Sequence, residues 1–177
     1  MKALGLFMLF AIFFSDALSQ EFCLPLPELV LTSGFGPRTH PISFQKDFHQ
    51  GVDLNARSAQ VRAVMAGRIL SCGYQHRLGN FIRIAHGDLE SIYGHLSFVL
   101  VKKDQWVDCG EVIGISGKTG CATGEHLHFS LKYLGTFINP LKFLLAITKG
   151  QTLTIQSYDT LQNTRSFALS AAGGDEF

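Results

Sequence analysis

The feature that constrains this chain most is a short segment, Gly124–Phe129, in which two histidines stand two residues apart. Apolar residues alternate with them, because Leu127 and Phe129 each follow one histidine. Side chains two apart on a β-strand point to the same face of the sheet. The pattern therefore predicts a strand that turns His126 and His128 to one face and its apolar side chains into a core.

A second alternating segment lies upstream and adds further metal-binding residue types. Phe48–Leu54 predicts one strand with His49, Gly51 and Asp53 on a shared face. The glycine between the two candidate ligands would leave room for a metal ion and its water. An ordinary hydrogen-bonded pair of His49 and Asp53 is the alternative that this spacing leaves open.

The remaining patterns predict a mostly β fold. The chain has 177 residues, enough for one domain with its own core, and it is rich in glycine (18) and phenylalanine (15) but not in proline (5). Short apolar runs alternate with glycine turns after residue 60, as in antiparallel β domains. The expected elements are a hairpin of residues 61–64 with 67–72, a strand over 80–86, a returning strand over 90–96 with Tyr93 and His95 on one face, a β region around Gly110 and Gly114, and a short helix over 141–147.

The charge of the chain gives no indication of a nucleic-acid partner. Lysines and arginines exceed aspartates and glutamates by one, and charged residues make up 16% of the chain. Proteins that bind nucleic acid through its phosphates usually show a strongly basic balance. We therefore expect a partner of another class.

The first residues resemble a secretory signal. Lys2 precedes an apolar run, Ala3–Phe14, that is short for a membrane span, and Ala17–Ser19 is a small-residue cleavage pattern. We expect a signal peptide over 1–19 and no membrane span after cleavage. An uncleaved anchor is the alternative.

Four cysteines suit such an exported chain. We expect one or two disulfides among them, and the sequence leaves all three full pairings open. They contain no C-x-x-C pair, so a thiolate zinc site is not expected. The four are Cys23, Cys72, Cys109 and Cys121.

Five residues together suit a zinc-dependent hydrolase. His49, Asp53 and His128 offer two imidazoles and a carboxylate, a donor set that leaves one zinc position open. Zinc in such a site brings the pKa of water close to neutral. His95 and His126 are candidates for the base and for the group that assists the oxyanion or the leaving amine, and the sequence does not say which does which.

Three other histidines are expected outside this site. His40 precedes a proline in a loop, where a satisfied loop residue is favoured over a site residue. His76 lies in a polar loop and His86 at a turn, and both are expected to be exposed to solvent.

Four segments of the chain resemble the lysostaphin-type (M23) zinc metallopeptidases, in the order and spacing of that family. The resemblance runs from about Thr32 to Leu144. Its segments are Ser33–Pro41, His49 to Asp53, Tyr93–Leu96 and Thr123–Phe129.

The resemblance implies a fold, a site and a substrate. The fold is a compact domain of antiparallel sheets with the site in a groove, here expected over residues 32–147 after a lead-in at 20–31 and before a tail at 148–177. The residues matching His49, Asp53 and His128 bind one zinc ion, and those matching His95 and His126 are catalytic. The substrate is the peptide part of bacterial peptidoglycan, cut at cross-links or stem peptides in the periplasm or cell envelope.

Two other functions are compatible with these features. A non-catalytic wall-binding or amidase-activating protein can use the same fold, although such relatives typically lack some of the five positions. A subunit of an envelope-spanning secretion machine is compatible with an active peptidase.

Overall fold

The computed structural model describes residues 21–39 and 44–149 of the chain. Within these ranges the chain forms twelve β-strands and one α-helix. The strands are β1 (Leu31–Ser33), β2 (Gly36–Thr39), β3 (Lys46–His49), β4 (Val52–Asn55), β5 (Gln60–Arg62), β6 (Gly67–Gln75), β7 (Gly79–His86), β8 (Leu89–Val99), β9 (Trp106–Val107), β10 (Val112–Ser116), β11 (His126–Tyr133) and β12 (Thr136–Ile138), and the helix is α1 (Pro140–Thr148).

A single ten-stranded antiparallel sheet dominates the structure, which confirms the predicted mostly β fold. Its main path runs in the order β1, β4, β11, β8, β7, β6, β9. Strand β12 pairs with β11, while β10 pairs with both β5 and β8. Strands β2 and β3 form a separate two-stranded sheet. The two strands that carry the histidine motifs therefore lie side by side at the centre of the main sheet, as β11 and β8.

The predicted alternation on β11 is confirmed. Leu127, Phe129 and Leu131 are fully buried in the core. Burying side chains of this size contributes about 1.5–3 kcal/mol each to stability. The same alternation turns His128 and Ser130 to the opposite face, so β11 joins the core to the candidate site.

The predicted single strand over Phe48–Leu54 is wrong. His49 ends β3 in the small sheet, and Val52 begins β4 in the main sheet. Gly51, between them, lies where a Cβ would approach Ser130 Oγ to 2.5 Å and the Phe129 carbonyl oxygen to 2.6 Å. The glycine thus permits close approach of β11 rather than leaving room for a metal ion.

The predicted hairpin of residues 61–64 with 67–72 is also wrong. Strand β5 pairs with β10, and β6 forms its hairpin with β7. The region around Gly110 and Gly114 is likewise divided between β9, which pairs with β6, and β10. Apolar runs of similar length give no local signal for which strand is the partner, so proximity in sequence was misleading here.

Strands 80–86 and 90–96 are confirmed within β7 and β8, but Tyr93 and His95 do not share a face. Tyr93 is fully buried against Phe129, with ring centroids 5.4 Å apart. His95 has φ +60° where the pairing with β7 shifts by one residue. A bulge of this kind breaks the two-residue period of a strand, and it places the two side chains in different surroundings.

His86 is buried, contrary to the prediction that it is exposed, whereas His76 is exposed as expected. The His86 Nδ1–H donates to the Ala66 carbonyl at 2.8 Å, and Nε2 lies 2.7 Å from Ser91 Oγ. Burial lowers the pKa of His86, so it acts as a neutral core residue. His40 lies outside the described residues.

The helix predicted over 141–147 is confirmed as α1. Asn139 caps its start by accepting a hydrogen bond from the Leu141 N–H at 3.0 Å. The expected signal peptide and the tail beyond residue 149 lie outside the described residues. No helix in the part of the chain that the structure describes is long and apolar enough to cross a bilayer.

The expected disulfides are not formed in this structure. Each of the four cysteines, at positions 23, 72, 109 and 121, is a free thiol.

Candidate metal centre

Three candidate ligands converge on one point, although they come from three strands rather than from the two that the sequence predicted. Asp53 on β4 lies directly opposite His128 on β11, because the two residues are register partners. His49 reaches the same point from the end of β3. His128 Nδ1 is 2.9 Å from Asp53 Oδ1, His49 Nε2 is 3.2 Å from that oxygen, and the two nitrogens are 3.1 Å apart.

The protonation of the two imidazoles suits a cation at this point. The His49 Nδ1–H donates to the Gly34 carbonyl at 2.7 Å, which leaves Nε2 with a lone pair. When His128 Nδ1 binds a cation, its Nε2–H donates to Ser130 Oγ, 2.9 Å away. Two lone pairs and a carboxylate oxygen then face one another. Ligands around a tetrahedral zinc ion lie about 3.3 Å apart, so the residues present fit such an ion.

The electrostatics of the three residues also suit cation binding. All three are buried. Burial by itself would raise the pKa of Asp53, but hydrogen bonds and attraction from His128 and His49 hold it well below its usual range. Burial lowers the pKa of His128. Near neutral pH the carboxylate is therefore ionised and the His128 imidazole is neutral, the forms that bind metals.

Arg38 on β2 contacts Asp53, an interaction that was not predicted from the sequence. Its Nη1 donates to Asp53 Oδ2 at 3.3 Å and to Ser33 Oγ at 2.8 Å. This contact occupies the second carboxylate oxygen and leaves Oδ1 for the two histidines. Arg38 belongs to a segment that was quoted for its family resemblance, but no spacing rule links β2 to β4, so its partner was not predictable.

Ser130 is a second missed residue, although a signal for it was available. It stands two residues after His128 on β11, and the strand period places the two side chains on one face. A partner that fixes the second ring nitrogen of a metal-binding histidine orients the ring and selects its tautomer.

His95 and His126 lie beside the three donors. The ring centroids of His95 and His126 are 4.6 Å apart, and those of His95 and His128 are 5.8 Å apart. His126 Nε2 is 3.6 Å from Asp53 Oδ1. The structure therefore brings together all five residues that the sequence singled out.

Backbone carbonyls orient both of these additional imidazoles. The His95 Nδ1–H donates to the Thr119 carbonyl at 2.8 Å, and the His126 Nδ1–H donates to the Gly124 carbonyl at 2.9 Å. A ring whose Nδ1–H is held in this way offers Nε2 as a proton acceptor. Burial lowers the pKa of His95 to about 4, so this ring is neutral at neutral pH.

The five residues that the sequence singled out line one open groove. Its walls combine several cationic side chains with aromatic ones. Among the lining residues are Arg38, Arg77, Arg83, Lys132, Phe48 and Phe137.

Comparison with known proteins identifies curated bacterial relatives. The chain is 37% identical over 123 residues to the DD-carboxypeptidase/endopeptidase Mpg of Neisseria meningitidis serogroup B, a match covering 68% of this chain and 28% of the relative. It is 34% identical over 123 residues to the peptidoglycan DD-endopeptidase ShyB of Vibrio cholerae, covering 68% of this chain and 29% of the relative. The chain thus spans less than a third of the length of these two relatives.

Solved structures share the fold. The catalytic domain of lysostaphin from Staphylococcus simulans superposes with a TM-score of 0.59 at 33% identity, covering 66% of this chain and 92% of that domain. A zinc-containing peptidase from Vibrio cholerae gives a TM-score of 0.64 at 31% identity, covering 68% of this chain and 39% of that one.

The model of Peptidase family M23 matches residues 47–140, more than half of the 177-residue chain. This match includes all five residues gathered in the groove. The chain belongs to peptidase family M23.

Proposed function

We propose that this protein is a zinc-dependent endopeptidase that hydrolyses peptide cross-links or stem peptides of bacterial peptidoglycan. The observation that carries the proposal is the triangle of His49, Asp53 and His128, with two further oriented histidines beside it in an open groove. Relatives named as peptidoglycan DD-endopeptidases support the substrate class.

In this proposal His49, Asp53 and His128 hold one zinc ion per chain. When bound, zinc supplies a Lewis acid that polarises the scissile carbonyl and lowers the pKa of a nucleophilic water. The chain's own contribution is to fix the donors. Arg38 holds the outer oxygen of Asp53, while Gly34 and Ser130 set the ring orientations of the two histidines.

His95 and His126 are the proposed catalytic residues. Each presents Nε2 as a proton acceptor, because its Nδ1–H donates to a backbone carbonyl. One of them takes the proton of the attacking water. The imidazolium that forms then donates to the leaving amine or to the developing oxyanion.

The expected signal over residues 1–19 and the names of the relatives bear on the compartment in which the protein works. We place it in the periplasm or cell envelope of a bacterium, exported by residues 1–19, with the catalytic groove contained in residues 32–147. The names of the relatives as peptidoglycan enzymes support an envelope location.

The first test is digestion of purified peptidoglycan by the purified protein, with and without a chelator. Mass spectrometry should detect uncross-linked muropeptides that a chelator abolishes and added zinc restores, and their masses identify the cleaved bond. Absence of products from zinc-loaded protein would contradict the proposal and favour a non-catalytic wall-binding or activating protein.

Two substitutions separate the proposed roles on β11. His128→Ala should lose both zinc and activity, because it removes one of three ligands. His126→Ala should keep zinc and lose activity by roughly 10²- to 10⁴-fold, the usual contribution of a general acid or base. Atomic emission measures the metal content of both variants, and digestion of peptidoglycan measures their turnover. Loss of zinc from His126→Ala to the same extent would contradict this division.

A further inference from the structure

The face of β11 that carries the metal site continues to a lysine. Every second residue of the strand turns to this face, so Ser130 and Lys132 follow His128 along the same groove. Residues on a strand advance by about 3.3 Å each, which places Lys132 about 13 Å from His128. An extended peptide covers that distance in about four residues.

The Lys132 ammonium packs against an aromatic ring. It lies 4.6 Å from the centroid of the Phe137 ring, its register partner on β12. Contact with an aromatic face stabilises a cation and limits its motion. Among residues 21–39 and 44–149, no aspartate or glutamate forms an ion pair with Lys132.

The acidic residue opposite Lys132 already forms an ion pair with an arginine. Glu90 on β8 is the other register partner of Lys132, but its carboxylate pairs with the Arg83 guanidinium on β7. That contact raises the pKa of Arg83. Three neighbouring strands thus carry two cations and one anion, with one positive charge in excess.

We infer that Lys132, supported by Phe137 and beside the Arg83–Glu90 pair, is a subsite for a carboxylate of the peptide substrate, three or four residues from the cleaved bond. This inference rests on the proposed function. Stem peptides of peptidoglycan carry free carboxylates, and an ammonium donates charge-assisted hydrogen bonds to such a group. An amidated stem peptide lacks the charge, so the subsite would discriminate against it.

The test compares two probes on the native protein and three variants. The probes are cross-linked muropeptide dimers with free stem carboxyls and the same dimers with those carboxyls amidated. Lys132→Gln should lower kcat/KM about tenfold on the free-carboxyl dimer, mainly through KM, and leave the amidated dimer nearly unchanged. Lys132→Arg should retain the preference. Lys103→Gln, an exposed lysine outside the groove, is the matched control.

Equal losses on both dimers, or no loss on either, would overturn the inference. A binding experiment keeps it separate from the proposed function. Calorimetry with His126→Ala should show tighter binding of the free-carboxyl dimer, and adding Lys132→Gln should remove that difference. Charge-dependent binding without hydrolysis by the native protein would support the subsite and contradict the endopeptidase. Failure to bind either dimer would overturn the subsite.

Discussion

Single side chains decide which atoms face the metal position. A histidine binds a cation through one ring nitrogen only when the other holds the hydrogen. For His49 a backbone carbonyl makes that choice, because a carbonyl can only accept a hydrogen bond. For His128 the choice depends on Ser130 Oγ. The serine is therefore a positioning residue, although it does not touch the proposed ion.

Ser130→Ala tests this role. We expect the zinc affinity to fall by about 10- to 100-fold, as is usual when an outer partner of a metal ligand is removed. Chelator competition measures the affinity, and circular dichroism checks that the fold is retained. Ser71→Ala, on β6, is the control. An unchanged affinity in Ser130→Ala would show that Ser130 does not orient His128.

The strands position the site by bringing distant segments into register. Asp53 and His128 meet because β4 pairs with β11, and the link from β3 to β4 must pass close over β11 at Gly51. A side chain at Gly51 would meet the Phe129 carbonyl oxygen at 2.6 Å and His128 Cε1 at 2.8 Å. These are contacts that real Cβ atoms do not make, so either β3 or the His128 ring would have to move.

Gly51→Ala is therefore expected to destabilise the protein by about 1–3 kcal/mol, the usual cost of overpacking, and to weaken zinc binding. Urea unfolding and chelator competition measure the two effects. Gly124→Ala is the control, because a Cβ there meets no heavy atom within 4 Å and its carbonyl contacts His126, which is not a proposed zinc ligand. If both variants behaved like the native protein, close approach at Gly51 would not be what positions His128.

At the scale of the whole molecule, the segment that precedes β1, residues 21–30, contributes to the hydrophobic core. Leu26 is only 2% exposed and packs in the main hydrophobic cluster. The backbone beside it is also bound, since the Cys23 N–H donates to the Val64 carbonyl and the Arg62 N–H donates to the Pro25 carbonyl. We therefore propose that the folding unit begins before residue 32.

Leu26→Ala should lower the free energy of unfolding by about 2–5 kcal/mol, the usual cost of a cavity left by leucine in a core. Val30→Ala is the control in the same segment, because Val30 is 50% exposed. Urea unfolding measures both. Equal and small effects in the two variants would show that residues before 32 are dispensable for the fold.

Local sequence patterns were sufficient to predict much of the fold and the residues of the candidate site. The two-residue period of β11 placed its histidines opposite its apolar residues, because neighbouring side chains on a strand must point to opposite faces. The short helix expected over 141–147 is observed as α1, where the Asn139 cap and a proline in the first turn fix its start locally. Residue chemistry and a family resemblance then predicted the five site residues.

Contacts between segments far apart in the chain were decided by packing of the whole structure. The pairing of β5 with β10, the bulge at His95 and the change of sheet between His49 and Val52 each arise from such packing. Arg38 meets Asp53 only because two sheets are brought together. A strand's sequence specifies its two faces, whereas its neighbours depend on which apolar faces can be buried together, and that is a property of the entire chain.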